Sequence, residues 1–220
     1  MLTKVIIIGA RADGHAKVVL KIIQALPNFK FIGFVDDNIA MKGNKIDGYP
    51  VLGQIKDIPQ LITQFNIQGG ITAIGNNAQR RKLNSKIEEF GLELINAIHP
   101  SVIMDNDVEI GKGNYIGQGV VLVTGTKIGN SVNIHVAATI DHDNILEDGV
   151  NIGPGVHTAG RVSLGKDSFL GTGSCVIPDI KIGQSVIAGA GTVIIRDVPA
   201  FTKIVGNPAK EIGKINQEKE

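Results

Sequence analysis

Three consecutive residues, Asp141, His142 and Asp143, set an imidazole between two carboxylates. Histidine exchanges protons readily near neutral pH, and a flanking carboxylate holds one tautomer and favours the imidazolium. Such a group suits general-base chemistry, in which it takes the proton of an attacking nucleophile. No serine or cysteine stands beside it to be acylated, so the pattern favours direct group transfer over a covalent enzyme intermediate. A second polar set lies near the amino terminus: the loop from Gly9 to His15, the pair Asp36 and Asp37, and Gly75. A glycine loop before a helix offers backbone N–H groups to a phosphate, and a carboxylate at a strand end can meet a ribose. The loop lacks the G-x-G-x-x-G spacing, which argues against a redox dinucleotide. Cys175, the one cysteine, sits among small residues just before an apolar position and reads as packing.

The elements that must carry His142 announce themselves by period. From Met104 through Ile110, Ile116, Leu122 and Ile128 to Ile194, an aliphatic or small residue recurs at every sixth position. Neither a helix nor an ordinary strand has this period; a β-solenoid of six-residue sides does. The residues following these rungs fall into three columns. One reads Gly111, Gly129, Glu147, Gly165, Gly183; the next reads Gly117, His135, Gly153, Gly171, Gly189; the third reads Val123, Asp141, Ala159, Ile177, Ile195. Three columns predict an eighteen-residue coil, a three-sided prism. Glycine tolerates φ > 0, so the two glycine columns are expected at tight corners. They break at His135 and Glu147, on either side of the Asp141 to Asp143 triplet, and that break is expected to mark a site.

Residues 1–98 follow another pattern. Residues 5–8, 31–35, 71–74 and 94–98 read as strands. Residues 15–26 read as a helix ended by Pro27, Asp57 as the cap of a short helix, and Asn77 as the start of a charged helix closed by Gly91. The alternation predicts an α/β, Rossmann-like parallel sheet, with residues 99–220 forming the all-β prism. Lys and Arg total 22 against 21 Asp and Glu, so no net field draws the chain to nucleic acid or an anionic membrane. A single cysteine and the absence of a signal-like or spanning apolar run predict a soluble, cytoplasmic protein.

The six-residue register, the opening IGAR…DGHAKVV, FVDD, AIGNN, IHPS, the DHD at 141–143 and the closing VGNPAK together resemble a known family. It comprises the left-handed β-helix acyltransferases of the sialic acid O-acetyltransferase and UDP-amino-sugar N-acetyltransferase kind (NeuD and PglD type). The likeness spans nearly the whole chain and alone implies the left hand, since parallel crossovers are normally right-handed. It also implies a homotrimer, with acetyl-CoA between neighbouring prisms. By this resemblance His142 is the general base and Asp143 its acidic partner. Asp13, Gly14, His15, Asp36, Asp37 and Gly75 would contact a nucleotide sugar, and Thr172 and Ala190 would contact acetyl-CoA. Asn151 stands where relatives often carry a second histidine near the cofactor; it can donate a hydrogen bond but no proton. Three-histidine zinc sites occur in similar prisms, yet His135 and His157 have the wrong spacing for them, so no metal is expected.

The expected function is transfer of acetyl from acetyl-CoA to the amine of a UDP- or dTDP-linked 4-amino-4,6-dideoxy sugar. Sialic acid O-acetylation is the near alternative, and a non-catalytic trimeric binding scaffold is the alternative of another class.

Overall fold

The computed structural model describes residues 2–9 and 14–215. The chain divides into two compact units, Met1–Pro100 and Ser101–Glu220. In the first, β1 (Thr3–Ile8), β2 (Phe29–Val35), β4 (Tyr49–Gly53), β5 (Gly69–Thr72) and β6 (Glu93–Leu94) form a parallel sheet, with β3 (Lys45–Ile46) antiparallel at one edge. The order is β3-β4-β2-β1-β5-β6. Val5, Ile6, Ile7 and Ile8 are at most 1% exposed, as a strand covered on both faces requires. Helices α1 (His15–Ala25), α2 (Ile58–Phe65) and α3 (Asn77–Glu89) supply the cover; α1 buries Ala16, Val19, Leu20, Ile22 and Ile23. Each such fully buried aliphatic side chain contributes about 1.5–3 kcal/mol.

Local details depart from expectation for physical reasons. Tyr49–Gly53, not foreseen as a strand, pairs with β2 because the β3 hairpin delivers it to the sheet. The run 94–98 divides into Glu93–Leu94 in this sheet and a separate Ala97–Ile98. Asp57 stands at the N-cap of α2 as expected, but its carboxylate turns back to accept the Gln54 N–H at 3.0 Å instead of capping the helix. Helix α3 starts at Asn77 as expected, and Asn76 caps it by accepting the Gln79 N–H at 2.8 Å.

The second unit is the three-sided prism. Two-residue strands eighteen positions apart pair in parallel along each side. One face stacks Tyr115–Ile116, Asn133–Ile134, Asn151–Ile152, Phe169–Leu170 and Ile187–Ala188. The second stacks Val121–Leu122, Thr139–Ile140, His157–Thr158, Cys175–Val176 and Val193–Ile194. The third stacks Lys127–Ile128, Ile145–Leu146, Ser163–Leu164 and Lys181–Ile182. The second residue of each strand points inward, and so does the residue two places before it. Val120, Val132, Ala138, Val150, Val156 and Val186 form this other buried column, each 0% exposed. Polar members of that column serve the corners. Asn144 Nδ2 donates to the carbonyls of Asp141, His142 and Ala159 at 2.8, 3.2 and 2.9 Å. Antiparallel strands Thr202–Val205 and Lys210–Lys214 follow the last coil.

The glycine columns do a different job from the one expected. Left-handed backbone recurs at every sixth residue from Gly113 to Gly191, three places beyond each rung. Ser131, Ala137, Asp143, Arg161, Asp167, Asp179 and Ser185 hold that conformation as well as glycines do. The glycines immediately after the rungs are required by close approach of the next coil instead. A Cβ on Gly165 would lie 2.5 Å from the Gln184 nitrogen and 2.7 Å from the Gly183 carbonyl carbon. The two breaks have local explanations. Glu147 accepts the Lys166 N–H at 2.8 Å, and the His135 ring packs on Tyr115 with centroids 5.2 Å apart. The case for a site at His142 therefore rests on its own geometry.

This distinction is measurable. Gly165→Ala should destabilise the chain by about 1–3 kcal/mol, because coil backbones must separate, and lower Tm by roughly 2–4 °C per kcal/mol. Gly119→Asn, at a left-handed corner with open space around it, should cost well under that, since Asn visits this conformation. Thermal denaturation checks both, and the reverse ranking would restore the corner-conformation explanation.

Candidate active site

His142 lies at the corner that follows the second face, between Thr139–Ile140 and Ile145–Leu146. Its backbone N–H donates to Asp141 Oδ1 at 2.8 Å, and its carbonyl accepts the Arg161 N–H at 2.9 Å. With the three bonds from Asn144, the turn is held on both sides. The His142 Nδ1 to Asp143 Oδ2 distance is 2.8 Å. An ionised carboxylate can only accept, so in the neutral ring this bond puts the proton on Nδ1 and leaves Nε2 its lone pair. Asp143 has φ 57, the left-handed corner position, and this conformation brings its carboxylate alongside the ring of its neighbour.

Two glycines make room for the pair. A Cβ on Gly160 would run into Nε2 of His142, and one on Gly125 into Oδ1 of Asp143. Gly160 lies eighteen residues after His142 and Gly125 eighteen before Asp143, directly above and below in the stack. Neither was singled out from the sequence, although the coil period points to both. The next coil adds a clamped ion pair: Arg161 Nε and Nη2 donate to Asp179 Oδ1 and Oδ2 at 2.6 and 2.8 Å. The hydrogen bond from Arg161, aided by its charge, holds the Asp179 carboxyl below the usual carboxylate range. One coil below Gly125, the Thr124 hydroxyl and then the Gly125 N–H do the same for Asp107.

The residues expected at acetyl-CoA gather at another corner. Thr172 and Ala190 are exposed, one coil apart, after the first face; the Thr172 carbonyl accepts the Gly191 N–H at 2.8 Å. Asn151 starts a strand on that first face, between Asn133 and Phe169, and is 6% exposed. Within one chain the width of the second face separates Thr172 and Ala190 from His142. Among the described residues no three His, Cys, Asp or Glu side chains converge as metal ligands. No helix among them is long and apolar enough to cross a membrane.

In the first unit a cavity of about 620 Å³ opens at the carboxyl ends of β1, β2 and β5. Since β1 stands between β2 and β5, the chain leaves β1 and β5 in opposite directions here, the switch point where open α/β sheets bind ligands. His15, Asp36, Asp37 and Gly75 all line it. Gly14 precedes His15 with φ 124, and its carbonyl accepts the Val18 N–H of the first helical turn. Asp13 lies outside the described residues. Asp37 is largely committed to structure: Oδ1 accepts the Ile55 N–H at 2.9 Å, and its carbonyl accepts Gln54 Nε2 at 3.1 Å. Asp36 accepts the Asn38 N–H at 2.8 Å. Asn38, Asn76 and Gln79, which the sequence reading missed, complete the polar lining. Beneath them Arg80, 0% exposed, donates to the carbonyls of Ile74 and Gly75 at 3.2 and 3.4 Å and so holds that loop. Both α1 and α3 start at this cavity, giving it two helix N-termini suited to an anion.

Comparison with known proteins gives these features a context. Residues 4–87 match the family described as PglD N-terminal domain. The chain is 31% identical over 187 residues to GDP-perosamine N-acetyltransferase of Escherichia coli, covering 81% of each chain. A histidine-to-asparagine mutant of perosamine N-acetyltransferase from Caulobacter crescentus, solved in complex with CoA and GDP-perosamine, superposes with a TM-score of 0.90. That pair is 35% identical over 97% of this chain and 99% of that one. The acetyltransferase domain of PglB from Neisseria gonorrhoeae, in complex with acetyl coenzyme A, superposes at 0.85. Its identity is 34%, over 96% of this chain and 100% of that one. The prism shares the left-handed winding of these hexapeptide-repeat proteins. With identity of this order sustained along almost its whole length, the chain belongs to the hexapeptide-repeat, acetyl-CoA-dependent sugar N-acetyltransferases of the PglD and perosamine N-acetyltransferase type.

Proposed function

We propose that the protein acetylates the amine of a sugar carried on a nucleoside diphosphate, with acetyl-CoA as donor and His142 as general base. The observation that carries this reading is the His142 Nδ1 to Asp143 Oδ2 bond of 2.8 Å, which leaves Nε2 facing the space that Gly160 clears. The amine lone pair attacks the thioester carbonyl carbon; as the N–C bond forms, the carbonyl electrons move onto oxygen and the amine proton passes to Nε2. The oxyanion then collapses, the C–S bond breaks, and the departing thiolate takes the proton from the imidazolium. Asp143 orients the ring and favours its charged form.

The cavity at Asp36 and Gly75 supports a nucleotide-linked acceptor over a free sugar, because its helix N-termini suit a diphosphate. Since two of the three relatives named above are perosamine N-acetyltransferases, a GDP-linked amino sugar is the first acceptor to test, ahead of the UDP and dTDP forms. Binding energy from the nucleotide, remote from the reacting amine, would then help to orient it for attack. The separation of Thr172 and Ala190 from His142 within one chain supports a closed homotrimer, in which one copy's corner meets the next copy's. Asn151 would then contribute a hydrogen bond at that boundary.

His142→Ala should lower kcat by about 10²–10⁴-fold with little change in KM for acetyl-CoA. Gly160→Ala should approach that loss, because its methyl group takes the place of Nε2 and turns the ring away. Thiol release measured with a GDP-linked amino sugar reads both; near-normal turnover in His142→Ala would remove the base from the mechanism.

Asp36→Ala should raise KM for the nucleotide sugar at least about tenfold, the loss of one hydrogen bond to a charged group, and leave KM for acetyl-CoA unchanged. Initial rates with GDP-, UDP- and dTDP-linked acceptors check this. Equal effects on both substrates would disconnect the cavity from the acceptor.

Light scattering at micromolar concentration should return three times the 23.3 kDa chain mass. A monomer that still turns over would sink the shared site.

A further inference from the structure

We infer that Asp179 is a positioning residue for the general base: it occupies Arg161 and thereby reserves Asp143 for His142. The inference rests on the reading of His142 as base and adds to it a partner two coils away. Gly125, Asp143, Arg161 and Asp179 hold the same left-handed corner position on successive coils, with φ of 72, 57, 61 and 64. Adjacent coils are about 4.8 Å apart, the spacing of paired strands. Arg161 therefore has one carboxylate a coil below it, Asp143, and another a coil above it, Asp179. A guanidinium fork matches one carboxylate at a time when it binds through two parallel bonds. Here both bonds go to Asp179, at 2.6 and 2.8 Å. The influence of Arg161 on Asp143 is left to charge acting through space, and Asp143 Oδ2 stays on Nδ1 of His142.

The choice of partner has chemical consequences. If the fork turned to Asp143, it would claim both oxygens and swing the carboxylate plane off the imidazole. Nothing would then hold the proton on Nδ1, and the ring could present a protonated Nε2, which cannot act as a base. An uncompensated guanidinium beside the imidazole would also oppose the imidazolium that forms during transfer. With Asp179 present, the column of Asp143, Arg161 and Asp179 carries net charge −1; without it, the remaining pair carries zero. Both pairs are exposed, so the clamp acts through geometry and charge at the base and contributes little to folding.

The test uses the full-length protein and the same thiol-release assay. Asp179→Asn should lower kcat by about tenfold, the lower end for loss of an outer orienting group, with KM for acetyl-CoA within about twofold. The double variant Arg161→Ala/Asp179→Asn should recover most of that loss, because no cation remains to compete for Asp143. A purely structural role predicts the opposite: removal of both partners would be no better than removal of one. Asp179→Glu, which keeps the charge within reach of Arg161, should stay within about threefold of the parent. Unaltered kcat in Asp179→Asn, no recovery in the double variant, or equal losses in the Glu and Asn variants would each overturn the inference. His142→Ala run in parallel separates the two readings. If it is inactive while Asp179→Asn is normal, only the role of Asp179 fails; if it retains turnover, the base itself fails.

Discussion

Parallel pairing at an unbroken interval of eighteen residues is the constraint on which the prism and its candidate chemistry depend. Along the coils each strand meets a strand eighteen positions away, so side chains there have fixed neighbours above and below. Backbones at two of the three corners come so close that a single methyl group is excluded, which explains glycine after the rungs. The same interval sets Gly160 over His142, Gly125 under Asp143, and Arg161 between two carboxylates. The site is a local choice of side chains within a repeating frame, and the frame supplies its precision. A loop of ordinary construction would have to order these groups at an entropic cost of about 1–2 kcal/mol per residue; here the coil has already ordered them.

The corner around His142 also shows how polar groups are reconciled with a packed interior. Asn144 is 0% exposed, yet its amide serves three carbonyls and so stiffens the turn that presents the imidazole. Ser174 and Thr192 perform a similar service elsewhere, both donating to the Gly189 carbonyl. Buried polar atoms of this kind cost several kcal/mol when unmatched and specify a unique arrangement when matched. In the first unit Arg80 plays the corresponding part. It is fully buried, and by holding the Ile74 and Gly75 carbonyls it shapes one wall of the cavity. Both candidate sites thus stand on buried polar side chains that take no part in the chemistry themselves.

Much was legible in the sequence because repetition is a one-dimensional signal. The six-residue ladder announces the prism, the β-α-β alternation announces the sheet, and the triplet at 141–143 announces an imidazole with a carboxylate partner. His15, Asp36, Asp37 and Gly75, expected at strand ends and a glycine loop, line one cavity. What a residue type means at a position was harder to read. Glycine after a rung looked like corner chemistry, yet the left-handed residues are three places further on, and the glycines answer to the neighbouring coil. Asp57 looks like a side-chain cap for α2, yet its carboxylate accepts the Gln54 N–H, and Asp37, though it lines the cavity, gives one oxygen to the Ile55 N–H.

The sequence by itself determined the period, the two-unit organisation and the identity of the groups able to move a proton, because each follows from residue type and spacing along the chain. Only the tertiary structure decided which groups work together. Hydrogen-bond partners, the space left by an absent Cβ, and the carboxylate that an arginine selects all depend on directions and distances between coils. Spacing along the chain places Asp143 and Asp179 equally far from Arg161; packing alone assigns the clamp to Asp179 and leaves Asp143 to the imidazole.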